Sequence, residues 1–416
     1  MITLPESGLS WLLLGMTAIV CLASGVYGVK YLQVEQVEAS RARWWLPLLT
    51  VLAIGLALVW LFDHLVPIYL ALDTAGLSAV LLMRLAGTDA AREASRRYLI
   101  FTLSASSLLL VGMLLLYLEH ATLALSELDG NELTTRGGVA LGLMLSGLLL
   151  KAAAFPLHGW MPPAHGSAWT PVSAIHSTLV LKASLYVAVQ LWLVLGAGAW
   201  HAAQLIGALG MLSIVWGSVM AWQQEDLKRV VAFSTVAQMG YLLLFFPLST
   251  GTGETVTRLA WESTWLLALN HALAKAAMFM AAGNLVLGMG RDDLKGLSGV
   301  STRLPLPLLT LGLAGVSIMG MPPSGGFVAK WLLLHAVFIS GQWQWGVALV
   351  LGTLLSAAYM FRLFRHCFVD DQESKSRYQS PPLTLDLIAL GLALSALFLG
   401  LLADWPLSLL RMEGPW

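Results

Sequence analysis

Apolar residues in this chain come in blocks and do not alternate with polar ones. The stretches 10–26, 46–62 and 99–118 are almost uninterrupted Leu, Val, Ile, Ala, Gly, Met and aromatic residues. A helix that is apolar all round has no wet face and belongs in a protein core or a bilayer. Read with a window of about 20 residues, the length that crosses a hydrocarbon core about 30 Å thick, the chain divides into about twelve predicted spans. Their approximate cores are 9–29, 45–62, 66–84, 98–118, 137–155, 171–196, 203–222, 229–248, 261–289, 305–340, 344–364 and 382–402.

Two spans break the pattern. The stretch 305–340 is too long for one straight helix and contains Met321-Pro322-Pro323-Ser324-Gly325-Gly326. The fifth span is interrupted by Phe155-Pro156 and again by Met161-Pro162-Pro163. Proline removes a backbone donor and clashes with the preceding turn. Broken backbone at membrane depth is tolerated only where it is buried in protein or lines a watery cavity. The predicted fold class is therefore an all-α, polytopic transmembrane helix bundle with two discontinuous helices. One break in each half of the chain points to inverted repeats, as in internally duplicated transporters.

Composition agrees. The 416 residues are 58% hydrophobic and 11% charged, with zero net charge, and the mean hydropathy is +0.77. Soluble domains carry about 25% charged residues. No nucleic-acid partner is indicated. Cys21 and Cys367 lie far apart, which argues against a disulfide framework or a zinc site. Two cysteines are too few for an iron–sulfur cluster. The chain lacks a GxGxxG fingerprint, a Walker loop and a c-type haem motif. No cofactor, metal or catalytic site of its own is expected, so energy has to come from an ion gradient or a partner. The first span has no basic flank and is read as a retained helix.

Charge orients the bundle. Lys30, Arg41 and Arg43 share one loop; Arg92, Arg96 and Arg97 follow the next span pair. Then come Lys228 with Arg229, Arg291 with Lys295 and Arg303, and Arg365 with Lys375 and Arg377. Intervening loops such as 119–135 are acidic or nearly neutral. Basic loops stay cytoplasmic, which places both termini in the periplasm of a bacterial cell. The 17 tryptophans suit interfacial belts.

Charges inside spans are costly and are functional candidates by default. Lys151, Lys182, Lys275 and Lys330 each sit in an apolar run, and Asp73 is the best candidate for a buried carboxylate. Lys151 precedes the break at Pro156, and Lys330 follows the break at Pro322 and Pro323. A lysine buried beside a broken helix can release and retake a proton near neutral pH; the plain alternative is a snorkelling lysine at a span end. His271 and Lys275, four residues apart, share a helix face, and His176 lies six residues before Lys182. A histidine–lysine pair suits proton hopping, while a structural imidazole bonded to a neighbouring helix is the alternative. Lys228 opens a span and is either a topology-setting charge or a partly buried link between halves.

Four ordered blocks carry a family resemblance. They are KAAAFPLHGWMPPAH at 151–165, running into TPVSAIH at 170–176 and LKA at 181–183; DLKRVVAFSTVAQMGY at 226–241; NHALAKAAMF at 270–279; and MPPSGGFVAKW at 321–331. Together the chain resembles the antiporter-like proton-translocating subunits of respiratory complex I, of Mrp-type cation/proton antiporters and of membrane-bound hydrogenases. The resemblance covers about residues 66–366. It implies that Lys151 is the lysine of the first broken helix, paired by Asp73 where the family has glutamate. By the same resemblance Lys228 bridges the half-channels, His271 and Lys275 form the central relay, and Lys330 is the lysine of the second broken helix. His176 and Lys182 correspond to a further relay pair.

The resemblance also divides the chain into shortened N-terminal helices at 1–65, a translocating core with two half-channels at 66–366, and a connector with a last helix at 367–416. The chain departs from the family in having aspartate for glutamate, one residue fewer between Pro171 and His176, about two spans before Asp73 instead of four, and no long lateral helix before Trp416. The implied function is proton translocation, with Na+ or K+ as further candidate cargo. The implied setting is a complex with other membrane subunits and a soluble redox subunit, such as an ion-translocating oxidoreductase. The alternative is a membrane subunit that energises an inorganic-carbon-capturing partner.

Overall fold

The computed structural model describes residues 7–128, 134–196, 198–369 and 379–412. Lys375, Arg377, most of the predicted connector and Trp416 lie outside the described residues. Apart from isolated bridges between His64 and Ala124 and between Asp226 and Asp293, regular structure among the described residues is helical.

In chain order the principal helices are α1 (Gly8–Val34), α2 (Trp45–Leu61), α3 (Leu65–Arg84), α4 (Asp89–His120), α5 (Thr135–Lys151) and α6 (Met161–Ser167). Then follow α7 (Thr170–Leu195), α8 (Trp200–Gln223), α9 (Leu227–Leu243), α10 (Glu254–Met289), α11 (Pro305–Met319), α12 (Gly325–Ser340), α13 (Trp343–Cys367), α14 (Leu383–Leu401) and α15 (Asp404–Arg411). Among the described residues, 10 helices are long and apolar enough to cross a membrane. The expected count of about twelve is therefore not reached by continuous helices. The two remaining predicted spans are the interrupted ones: α5 stops at Lys151, and 305–340 divides into α11 and α12.

Both breaks form where the prolines lie. The Phe155–Pro156 and Pro322–Pro323 peptide bonds are cis. Ala153 takes a left-handed φ of 53°, a conformation that costs roughly 1–2 kcal/mol for a residue with a Cβ. At the first break, freed backbone groups are satisfied by one side chain from the broken segment itself and one from α8, as a buried break requires. Trp160 Nε1 donates to Leu150 O at 3.1 Å, and Phe155 N donates to Ser213 Oγ at 2.9 Å.

The loops gather at two ends. At one end Arg41 reaches Ala86 O, Leu227 N donates to Asp292 O, Gly299 N to Val369 O and Gln379 N to Gly288 O. This end carries the basic loops. At the other, Leu65 N donates to Leu123 O, Ser10 Oγ to Trp60 O and Gln342 Nε2 to Pro247 O. The short amphipathic α15, which the hydropathy pattern does not predict, is clamped at this second end. Arg411 grips Glu262 of α10 with two contacts of 2.9 and 3.2 Å, and Trp261 Nε1 donates to Leu410 O.

Helices differ in depth. α9 is buried along its whole apolar stretch and α7 and α10 nearly so, whereas α2, α4 and α14 leave most of theirs facing outward. The inner three are the helices that carry Lys182, Lys228, His271 and Lys275. A lipid-facing charge is costly, so charge-bearing helices belong in the interior.

Candidate functional site

The first break brings three helices together. Gly147 lets α5 approach α4 so closely that a Cβ there would stand 2.5 Å from Ala105 O. One turn on, Lys151 Nζ lies 2.9 Å from Ser106 Oγ of α4 and 2.8 Å from Asp73 Oδ1 of α3. Ser106 Oγ is in turn 2.6 Å from Asp73 Oδ1. The shorter aspartate side chain thus reaches its lysine directly. Lys151 is 7% exposed and Asp73 21%, so neither charge is well hydrated. Removing one partner of such a pair leaves an uncompensated buried charge.

The central groups are paired differently from the in-helix spacing. His271 and Lys275 share a face of α10, yet the contact His271 makes is with Lys182 of α7, Nζ to Nδ1 at 2.5 Å. Lys275 turns to α9, donating to Val231 O at 2.9 Å and to Ser234 Oγ. The expected His271–Lys275 pair is thus replaced by two interhelical contacts, because sharing a face does not decide which neighbour each side chain meets.

His176 is likewise not bonded to Lys182. It starts a π-helical turn, His176–Val180, in which each bond spans one more residue than in an α-helix. Lys182 donates instead to Ser177 O at 2.9 Å. The His176 ring sits edge-on to Tyr98 and Trp160, with centroids at 4.8 and 5.3 Å, and 5.2 Å from the ring of His165. Among the described residues, both nitrogens of His165 and of His176 have no hydrogen-bond partner.

Lys228 sits in the first turn of α9, 9% exposed and, among the described residues, in no ion pair. Three residues on is Val231, whose carbonyl receives Lys275. Lys228 thus stands between the basic end and the central groups.

At the second break, no carboxylate among the described residues pairs with the lysine. Lys330 Nζ of α12 donates to Ile318 O and Met319 O, at 3.1 and 3.2 Å. These carbonyls end α11 and have no partner within it, and the negative end of a helix dipole favours a cation. The ammonium also lies 4.4 Å from the Tyr241 ring centroid, within cation–π range. Gly320 ends α11 with φ 79°, and a side chain there would also collide with Lys330 Cδ, 2.7 Å from its Cβ. A cleft of about 230 Å³ lined by Gly320, Phe327, Trp331 and Thr353 adjoins the lysine.

Sequence reasoning missed Ser106, His165, Ser234 and Tyr241. His165 closes the first resemblance block, and Ser106 belongs to a serine cluster in an otherwise apolar span. Those two carry a signal in the sequence. The roles of Ser234 and Tyr241 depend on which helices pack against α9.

Comparison with known proteins places this geometry. The transmembrane family described as NADH:quinone oxidoreductase/Mrp antiporter matches residues 63–356. NADH-quinone oxidoreductase subunit N of Desulforudis audaxviator is 30% identical over 368 residues, covering 86% of this chain and 71% of that protein. A Na(+)/H(+) antiporter subunit of Bacillus subtilis is 30% identical over 408 residues, covering 90% of this chain and 49% of that longer protein. Among solved structures, the fold matches a chain of the Mrp complex from Dietzia sp. with a TM-score of 0.88 at 24% identity, covering 97% of this chain and 82% of that one. A chain of respiratory complex I from Thermus thermophilus matches with a TM-score of 0.79 at 25% identity, covering 98% and 87%. With two broken helices, a lysine at each and a buried histidine–lysine centre between them, this chain belongs to the NADH:quinone oxidoreductase/Mrp antiporter transmembrane family.

Proposed function

We propose that the chain is a proton-translocating membrane subunit of a larger complex and that protons move through its buried lysines. The observation that carries this reading is that Lys151, Lys182, Lys275 and Lys330 are all buried in one bundle, although buried ammonium groups are costly and rare. The path runs from Asp73–Lys151 past His165 and His176 to Lys182–His271, then through Lys275 to Lys330. Lys228 links this centre to the basic end of α9.

Asp73 sets the proton affinity of Lys151. Unit charges 4 Å apart interact by about 4 kcal/mol at an effective dielectric of about 20, so separating or neutralising the pair alters proton retention by orders of magnitude. Each group then shifts the next through the same coupling, and the apparent affinities belong to the chain of groups as a whole. The buried imidazole nitrogens without protein partners suit water-bridged steps.

Basic loops sit at the end opposite the described ends of the chain, which supports a cytoplasmic basic face and periplasmic termini in a bacterial inner membrane. The relatives' names support partners that are membrane subunits of a redox or antiporter complex, and one of those relatives belongs to a Na(+)/H(+) antiporter. The test is proton flux into liposomes carrying the whole complex, purified in mild detergent. Lys275→Ala is expected to stop flux while the complex remains assembled; wild-type flux in that variant would refute the path.

A further inference from the structure

One buried carboxylate lies apart from the path described. Asp386 is the fourth residue of α14 and is 6% exposed. Its Oδ1 accepts from Asn284 Nδ2 of α10 at 2.7 Å. Asn284 Oδ1 accepts from Tyr27 Oη of α1 at 2.6 Å, and the same hydroxyl stands 3.2 Å from Met280 O. Asn284 lies 13 residues beyond His271 on α10, about 20 Å at 1.5 Å per residue. Gly288, one turn further, accepts from Gln379 at the basic end. The triad therefore sits between the central groups and that face.

The groups facing Asp386 are few. α1 contributes Tyr27 and also carries Lys30 and the buried Tyr31, whose ring stacks on Tyr27 at 6.0 Å, and α10 contributes Asn284 with Lys275 nine residues deeper. α11 has no titratable residue; α12 has only Lys330 and His335, and α14 itself only Asp386. Among the described residues Asp386 has no ion-pair partner. A buried carboxylate without a cation is held by hydrogen bonds or takes up a proton.

We propose that Asp386 is a proton-loading site on the cytoplasmic side, a step that rests on the proton-path reading. The hydrogen bonding closes in both protonation states. With Asp386 ionised, Tyr27 donates to Asn284 Oδ1 and Asn284 Nδ2 donates to the carboxylate, as observed. When Asp386 binds a proton, a half-turn of the Asn284 amide lets the new carboxyl O–H donate to Oδ1. Nδ2 then donates to Tyr27 Oη, whose hydrogen swings to Met280 O. The Tyr27 hydroxyl, one Asn284 Nδ2 hydrogen and, when present, the carboxyl O–H each face an acceptor in both states. An amide does not pass protons on, so Asn284 and Tyr27 are positioning residues and the proton leaves Asp386 by water.

The test is infrared difference spectroscopy across a pH titration of the reconstituted complex, with proton flux measured in parallel. Wild type should show a carboxyl band that grows on acidification and a side-chain amide change that follows it. Asp386→Asn should lack the band and slow flux by roughly 100-fold, the low end of what one positioned proton-transfer group supplies. Asp386→Glu should regain most of the flux, which a purely structural carboxylate would not do. Tyr27→Phe should keep the carboxyl band and lose the coupled amide change. An unchanged carboxyl spectrum in Asp386→Asn, or wild-type flux in that variant, overturns the proposal. If wild type moves no protons, the path reading fails, and the infrared titration alone decides whether Asp386 takes a proton.

Discussion

The two broken helices solve one problem in different ways. At the first, the ammonium of Lys151 is matched by a charge, Asp73 at 2.8 Å, with Ser106 as a neutral third member. At the second, Lys330 is matched, among the described residues, by dipoles: two carbonyls at the end of α11 and the face of Tyr241. A charge can be removed by protonation or displaced by movement of a helix. Carbonyls and a ring stay where they are. On the proposed path, the first break would change its hold on a proton and the second would offer a fixed one.

That contrast predicts a graded series. The largest effect belongs to Lys151→Ala, which strands Asp73: thermal unfolding of the purified protein should show a loss of about 3–5 kcal/mol. Lys330→Ala strands no charge, and its loss should be smaller, about 1–3 kcal/mol. Equal losses in the two variants would erase the distinction. A double-mutant cycle between Asp73→Asn and Lys151→Met should return a coupling energy of about 1–3 kcal/mol. Tyr241→Leu should cost about 1–2 kcal/mol through the lost cation–π contact, whereas Tyr241→Phe keeps the ring and nearly all of it. Ser106→Ala, which removes one neutral member of the first site, should cost about 1 kcal/mol.

Much of this was legible in the sequence because membranes make charge conspicuous. A lysine in an apolar run stands out whatever surrounds it, and Pro156, Pro322 and Pro323 mark the breaks by their missing donors. The partners were less legible. The spacing of His271 and Lys275 gives a shared face, but the facing helices direct one to Lys182 and the other to Ser234. Asp73 could be named from its depth; its reach to Lys151 depended on how closely Gly147 lets α5 approach α4. Asp386 and Glu262 sit near span ends, where a carboxylate looks like an ordinary interfacial residue until its burial is seen. Continuous helices of membrane-crossing length number 10 among the described residues because the two spans predicted to be interrupted divide at their breaks.

The central claim is that both breaks lie on one proton route. The most direct measurement is proton flux in liposomes bearing the intact complex, compared for wild type, Lys151→Ala and Lys330→Ala, with insertion and assembly verified for each. Each variant alone should abolish coupled flux despite their different stabilities. Wild-type flux in either variant, in an assembled complex, would contradict it.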